Sequence, residues 1–357
     1  MSLEELRRKI DQIDNQLLAL LNQRMSYVKE VGVLKNKANS KIYRPEREKS
    51  ILDRLEKFNK GPLNQKAIDA IFLEIFSVSR NFELPVKVAY LGPEGSFTHQ
   101  AAESRFGAAS EYFSLASIRS VFEAVSTDRA SFGVVPIENN QEGVVSETVS
   151  YLAKFDLKIV AEIPMPIHFS FASFAEKLTS IKKIYSKDIA FRQCRKFVQD
   201  SFGQQKVELI PVNSTSKAVK IALKDDESAA ICSHIAARES QLPILFDNIE
   251  DSKDNYTRFI IMGKNFENHP SGNDKTTLLA KPSDSDKPGS LASFLQDFHN
   301  ANINLTKIES HPAKIGKNFK YWFFIDLDGH FQDEHVKKVL TKHKKEISLL
   351  GSYVKLC

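Results

Sequence analysis

Asn255-Tyr256-Thr257-Arg258-Phe259-Ile260-Ile261-Met262-Gly263 is the stretch that organises the chain. Its second half, Phe259 to Met262, is an unbroken apolar run of the length of a buried strand. Such a strand needs only apolar residues to fold, yet Asn255, Thr257 and Arg258 crowd its entrance. Two readings are open. The polar residues form an anion-facing cluster at the mouth of a buried strand, or the run is an edge strand carrying a solvated Arg.

Outward from this strand, short apolar runs alternate with helical patterns across residues 86–265. Strands are expected at 86–91, 132–136, 182–185, 207–212 and 229–232, with 157–171 extended. Helices are expected at 118–126, 144–152, 190–202, 217–223 and 235–239. That order implies a mostly parallel α/β sheet, with ligand sites at the carboxyl ends of strands and a cleft between two lobes. Polar turns fall at those ends: Gly92-Pro93-Glu94-Gly95-Ser96-Phe97-Thr98, then Ile137 to Gly143, then Asn213-Ser214-Thr215-Ser216. Each turn alone reads as helix capping. The first opens a helix near Ser96 or Thr98, where free backbone N–H groups suit an anion. It is neither a G-x-G-x-x-G fingerprint nor a Walker loop, which disfavours a nucleotide.

Residues 1–84 are different in kind. Leu3, Leu6, Ile10, Ile13, Leu17, Leu20 and Leu21 recur at helical spacing, so one long amphipathic helix runs to about Lys37. Arg44-Pro45 breaks the pattern; helices follow at 47–58 and 63–82. Three helices, one of them very long, make a poor monomeric core and a good half of an interlocked dimer. Arg24 and Lys35 lie about 20° apart around the helix and roughly 16 Å along it, so their long side chains can converge on one small dianion. Arg7 is roughly 25 Å from Arg24 along the same helix and can join such a site only from a partner chain. Each of these cations also reads as an ordinary solvated surface charge.

After a short linker at Asn265–Asp274, residues 274–357 give strand, helix, strand, strand, helix, strand. That βαββαβ order is a ferredoxin-like unit without a catalytic constellation. A net charge of +5, from 50 Lys+Arg and 45 Asp+Glu, is too mild to argue for nucleic acid. Basic residues cluster late, around Lys337 and Lys344, where a solvated helix face is the simpler reading. Cys194, Cys232 and Cys357 are scattered, which gives neither a metal site nor a disulfide framework and fits reduced thiols. Charges at Glu4, Glu5, Arg7, Arg8 and Lys9 exclude an apolar signal core, and no run approaches a membrane span. The expectation is a soluble, cytoplasmic protein with no metal and no cofactor.

Three sets of motifs carry resemblances. Leu6-Arg7 through Leu17–Leu21, Arg24, Gly32, Lys35 and Arg47-Glu48 resemble the all-helical chorismate mutases. Gly92–Phe97, Val135-Pro136-Ile137-Glu138-Asn139, Ser214-Thr215 and Thr257-Arg258-Phe259 resemble the prephenate dehydratases, whose two α/β lobes are similar to type II periplasmic binding proteins. Lys287 to Leu291 and Ile308 to Pro312 resemble the effector motifs of the ACT domain in phenylalanine-regulated dehydratases. The implied protein is multidomain: a helical mutase domain (1–84), a two-lobed α/β dehydratase domain (86–265) and an α+β ferredoxin-like ACT domain (274–357). It would convert chorismate to prephenate and prephenate to phenylpyruvate, with phenylalanine as effector and a homodimer or larger assembly as the working form.

The mutase resemblance implies that Arg7 of a partner, Arg24 and Arg47 clamp carboxylates and that Ser79 assists. Lys35 donates to the ether oxygen, and Glu48 binds the substrate hydroxyl. Arg44 stands where some members carry Asp and is kept among the site residues. Glu83 stands where many carry Gln and can donate to the ether oxygen only when protonated. The dehydratase resemblance makes Thr257 essential, positioning and hydrogen-bonding the departing hydroxyl, with Ser96, Asn139, Ser214 and Thr215 lining the cleft. Arg258 either binds a substrate carboxylate or braces the turn. Lys187 stands where many relatives have His, which argues against an essential His acid there. In the ACT motifs, Gly289, Ser290, Leu291, Glu309 and Ser310 are the effector candidates, with Ser290 and His311 departing from the usual residues. Two rival readings are a dehydratase with an inactive helical dimerisation arm and a non-catalytic small-molecule sensor.

Overall fold

The computed structural model describes residues 2–37, 43–282, 287–312 and 321–356. They form two compact units, 1–86 with 106–111, and 87–105 with 112–357.

The first unit is helical. α1 (Leu3–Lys37) is a single helix of 35 residues, as its apolar spacing predicts. α2 (Pro45–Phe58) starts two residues earlier than the sequence suggested, because Pro45 occupies the first turn, where its missing N–H costs nothing. α3 (Gln65–Glu83) is capped by Asn64, whose side chain accepts from the Ala67 N–H at 2.8 Å. Along α1, Leu3, Ile10, Ile13, Leu17 and Leu20 are each more than half exposed, so the apolar stripe that defines this helix stays uncovered within one chain.

The second unit opens with β1 (Lys87–Leu91), α4 (Phe97–Phe106), β2 (Glu111–Leu115) and α5 (Ile118–Ser126). β3 (Phe132–Asn139), β4 (Gly143–Val144), α6 (Ser146–Leu152) and β5 (Lys158–Pro166) complete the first lobe. The chain then builds the second lobe from β6 (Ser170–Ala172), β7 (Lys183–Ser186), α7 (Asp188–Gln193), α8 (Arg195–Phe202) and β8 (Glu208–Pro211). α9 (Thr215–Ala222), β9 (Ser228–Cys232), α10 (His234–Glu239) and β10 (Ile244–Phe246) follow, and β11 (Tyr256–Gly263) returns to the first lobe.

The expected mostly parallel sheet is corrected to two mixed sheets. The first runs β2-β1-β3-β11-β5, with β1 and β3 parallel and β11 antiparallel to both of its neighbours. The second runs β10-β6-β9-β7-β8, parallel around β7 and antiparallel at β6 and β10. Three local expectations also change. Ile137 to Asn139 belong to β3 rather than to a turn, the helix over 190–202 is two helices broken at Cys194, and β2 and β10 were not foreseen. The lobe crossing is clamped by Glu250, which accepts from the Phe169 N–H at 2.9 Å and meets His168 Nδ1 at 2.6 Å.

The chain ends in β12 (Asp274–Ala280), α11 (Ser290–Asn300), β13 (Leu305–Pro312), β14 (Tyr321–Asp328), α12 (Glu334–Lys342) and β15 (Ile347–Val354). Their sheet order, β13-β14-β12-β15 with antiparallel pairs throughout, is the ferredoxin-like unit expected. One set of buried side chains, including Leu278, Phe294, Phe298 and Val336, packs the two helices onto this sheet. Leu279, Trp322, Phe324, Leu350 and Tyr353 instead join Val135, Ile260 and Met262 in one core with the first lobe. The two bodies approach closely at Gly351, where a Cβ would collide with the Ile159 backbone carbonyl. The expected linker is pinned as well: buried Asn268 donates to the carbonyls of Val160 and Ser352, both at 2.8 Å.

Candidate active site

Alternation along β11 places Thr257 and Arg258 on opposite faces. Thr257 points into a cavity of about 360 Å³ lined by both lobes. Directly across the strand pair stands Asn139. Its Oδ1 accepts from the backbone N–H groups of Gln141 (2.9 Å) and Glu142 (3.0 Å), which fixes the amide orientation. The Nδ2 then donates to Thr257 Oγ1 at 2.8 Å and to Asn255 Oδ1 at 2.9 Å. Thr257 Oγ1 is therefore an acceptor toward the protein, which leaves its own proton for the cavity. Asn255 Nδ2 continues the chain to Gln193 Oε1 at 3.1 Å, and Gln193 Nε2 reaches Gln141 Oε1 at 2.8 Å.

Ser96, Ser214 and Thr215 line the same cavity from α4 and α9, whose N-termini present free backbone N–H groups there. Ser214 caps α9 by accepting from Lys217 N at 3.1 Å. Lys187 is the cation among the lining residues, opposite in charge to a carboxylated ligand. Behind the loop, Gly95 (φ +76°) donates its N–H to His99 Nδ1 at 3.2 Å, and a Cβ there would meet Ala236 Cα at 2.9 Å. The His99 ring stacks on Tyr90 with centroids 4.6 Å apart. Burial lowers the His99 pKa and pushes the Tyr90 phenol up to about 12, so both stay neutral.

Arg258 does not line the cavity. Its guanidinium donates to Asp326 (2.7 Å), Glu138 (3.0 Å) and Glu162 (3.3 Å) on the far face of the sheet. Burial opposes its charge, but Asp326 and Glu162 overcome this and raise its pKa. Of the two roles left open for it, the brace fits this geometry and the carboxylate ligand does not.

In the helical unit, α1 and α3 bring four expected residues together. Arg24 donates to Ser79, and Lys35 Nζ lies 2.7 Å from Glu83 Oε2. Burial lowers the Arg24 pKa, while the Glu83 carboxylate opposes that shift. Glu48 is buried against Arg80, a partner the sequence reading missed, and Arg47 is exposed. Arg44 occupies the N-cap position of α2 without a side-chain capping hydrogen bond and lies 3.8 Å from Glu46. Arg7 is exposed on α1.

In the C-terminal body, Gly289 and Ser290 line a second cavity of about 380 Å³ with Phe294 and His343. Leu291, Glu309 and Ser310 do not line it; Glu309 lies 3.5 Å from Lys307. His311 is buried and stacked on Trp322, with centroids 5.0 Å apart, and burial lowers its pKa. Among the described residues no cluster could hold a metal ion, and no helix is long and apolar enough to cross a membrane. Cys194 and Cys232 are buried free thiols; Cys357 lies outside the described residues.

Three family models match in order: Chorismate mutase type II over residues 6–84, Prephenate dehydratase over 88–267 and ACT domain over 285–344. A bifunctional chorismate mutase/prephenate dehydratase of Aquifex aeolicus is 42% identical over 360 residues, spanning 99% of this chain and 98% of that one. The chain belongs to the bifunctional chorismate mutase/prephenate dehydratases. Its counterpart in Pseudomonas aeruginosa is 39% identical over 99% of this chain and 98% of the relative. The crystal structure of prephenate dehydratase in complex with L-Phe from Arthrobacter aurescens shares the fold with a TM-score of 0.68, at 33% identity over 76% of this chain and 90% of that one. The chain therefore carries both activities, an isomerase and a lyase of phenylalanine biosynthesis, which sets aside the inactive arm and the non-catalytic sensor.

Proposed function

We propose that dehydratase chemistry is centred on the Asn139–Thr257 pair, and this pair is the observation that carries the reading. Prephenate loses its ring carboxylate as CO₂, and the electrons of that bond expel the ring hydroxyl as the ring aromatises. Thr257 is a poor acid, so its task is to place one directed O–H on the departing oxygen. Asn139 sets that direction by occupying the hydroxyl as an acceptor. Lys187 and the α4 and α9 N-termini hold the carboxylates. The proton that turns hydroxide into water comes from solvent.

The mutase site consists of Arg24, Lys35, Ser79 and Glu83, with Arg47 and Glu48 from α2, completed by Arg7 of a second copy. The uncovered stripe of α1 supports a homodimer in which this helix is shared. A pericyclic rearrangement needs no nucleophile, only cations that hold two carboxylates and donors at the breaking ether bond. Phenylalanine acts as effector at the C-terminal body through the segments 289–291 and 309–310. The buried thiols fit a reducing compartment, the cytoplasm.

Chorismate supplied to the purified chain yields prephenate and then phenylpyruvate. Accumulation of prephenate without phenylpyruvate refutes the cleft assignment, and no consumption of chorismate refutes the helical one.

A further inference from the structure

β3 and β11 each carry two consecutive polar residues, and the strand register pairs them directly: Thr257 with Asn139, and Arg258 with Glu138. The first pair faces the cavity. The second faces the C-terminal sheet, because successive strand residues alternate between faces. A displacement of β3 against β11 therefore moves both pairs together.

The rear pair is wired into the C-terminal body by charge. Glu138 lies 2.5 Å from Lys307 on β13 and 3.0 Å from Arg258. Arg258 lies 2.7 Å from Asp326 on β14, and Asp326 accepts from Thr277 on β12. Glu162 on β5 pairs with both Arg258 and Lys275. Lys307 lies 3.5 Å from Glu309, a residue of the second effector motif. Burial pushes the Glu138 carboxyl up, but Lys307 and Arg258 outweigh this and hold it below its ordinary range. Glu162 and Asp326 are buried, so Arg258 cannot leave them cheaply, and the half-buried Glu138 is tied to them through Arg258.

We propose that Lys307 and Glu138 are positioning residues through which the effector segment on β13 sets the placement of Asn139 and Thr257 across the sheet. This rests on the reading that phenylalanine binds the C-terminal body. Effector binding that moves β13 pulls Lys307 on Glu138, shifts the rear pair and misdirects the Thr257 hydroxyl. Inhibition then needs no closure of the cleft and no contact between effector and substrate.

The test is Lys307→Met in the full chain, with phenylalanine binding followed by calorimetry and dehydratase turnover by phenylpyruvate formation. The variant is expected to bind phenylalanine within about threefold of the parent, and its inhibition is read against its own phenylalanine-free kcat. Its inhibition by saturating phenylalanine should fall at least about fivefold, the low end of ordinary allosteric coupling. Lys307→Arg should restore it. Parental inhibition in Lys307→Met overturns the relay while leaving the effector reading intact. Absence of phenylalanine binding to the parent at millimolar concentration overturns the effector reading and the relay with it. A measurement on the parent needs no variant: phenylalanine should change hydrogen exchange at the amides of residues 138–140 and 257–258. Unchanged exchange there, with phenylalanine bound, also overturns the relay.

Discussion

Replacing Thr257 by Val removes one hydroxyl and keeps the branched shape, so it isolates the directed hydrogen bond. The structural cost is small. Asn139 Nδ2 loses the acceptor at 2.8 Å and keeps Asn255 Oδ1 at 2.9 Å, so one neutral hydrogen bond is lost, about 1 kcal/mol. The catalytic cost is larger, because the bond strengthens as charge gathers on the departing oxygen. Donors placed at developing charge contribute ~2.7–4 kcal/mol, or about 10²–10³ in kcat. The KM for prephenate should move less than about threefold, since the ground state has no such charge. Mutase turnover should be unchanged, because Arg24, Lys35, Ser79 and Glu83 belong to the other compact unit. Separate assays with chorismate and with prephenate read the two activities, and Thr257→Ser should recover much of the loss. A Thr257→Val enzyme within about fivefold of parental kcat, or one that loses both activities equally, refutes this account of the hydroxyl.

Further outcomes follow from other sites. Lys187→Met should raise the KM for prephenate about tenfold, ~1.4 kcal/mol for a lost charge-assisted contact at an exposed position, with a smaller change in kcat; an unaltered KM removes Lys187 from substrate binding. Glu83→Gln should raise mutase turnover, because an amide Nε2 can donate to the ether oxygen whereas a carboxylate beside Lys35, 2.7 Å away, only accepts; unchanged turnover in the variant refutes the donor role. Burial lowers the His330 pKa from 6.5, with Asp274 opposing, and burial likewise lowers His99 and His311. The unfolded chain therefore takes up these protons first, so stability is full above about pH 6.5 and falls as pH drops below it. Thermal unfolding should reveal a falling midpoint from about pH 7.5 to about pH 5.5, with a shallower slope in His330→Gln; a flat midpoint excludes the effect.

Much of this was legible in the residues. The heptad-like apolar spacing gave α1 to within a residue or two, and the βαββαβ order of the C-terminal body followed from period and length alone. Thr257, Asn139, Ser96, Ser214 and Thr215 do share one cavity. Asn255, Thr257 and Arg258 crowd one strand entrance, and the residues alone leave Arg258 open between carboxylate ligand and brace; the period of two along β11 sends Arg258 away from Thr257 and aligns Asn255 with it on the cleft side. Gln193 was beyond reach, because its partners Gln141 and Asn255 come from distant segments. Arg80, Glu162 and Asp326 were hidden for a related reason. Each is a charge on an otherwise apolar face, and only the fold shows which opposite charge meets it.

The shared core and the close seating at Gly351 bear on how this enzyme could be freed from its effector. Leu279, Trp322, Phe324, Leu350 and Tyr353 are structural parts of the dehydratase lobe as much as of the C-terminal body. Cutting the chain near residue 274 would uncover Val135, Ile260 and Met262 directly behind the catalytic strands and take Asp326, Lys275 and Lys307 away from Arg258, Glu162 and Glu138. A shortened, unregulated enzyme is thus the harder route for strain engineering. Point changes that leave the apolar seam untouched are the practical way to a desensitised producer of phenylpyruvate.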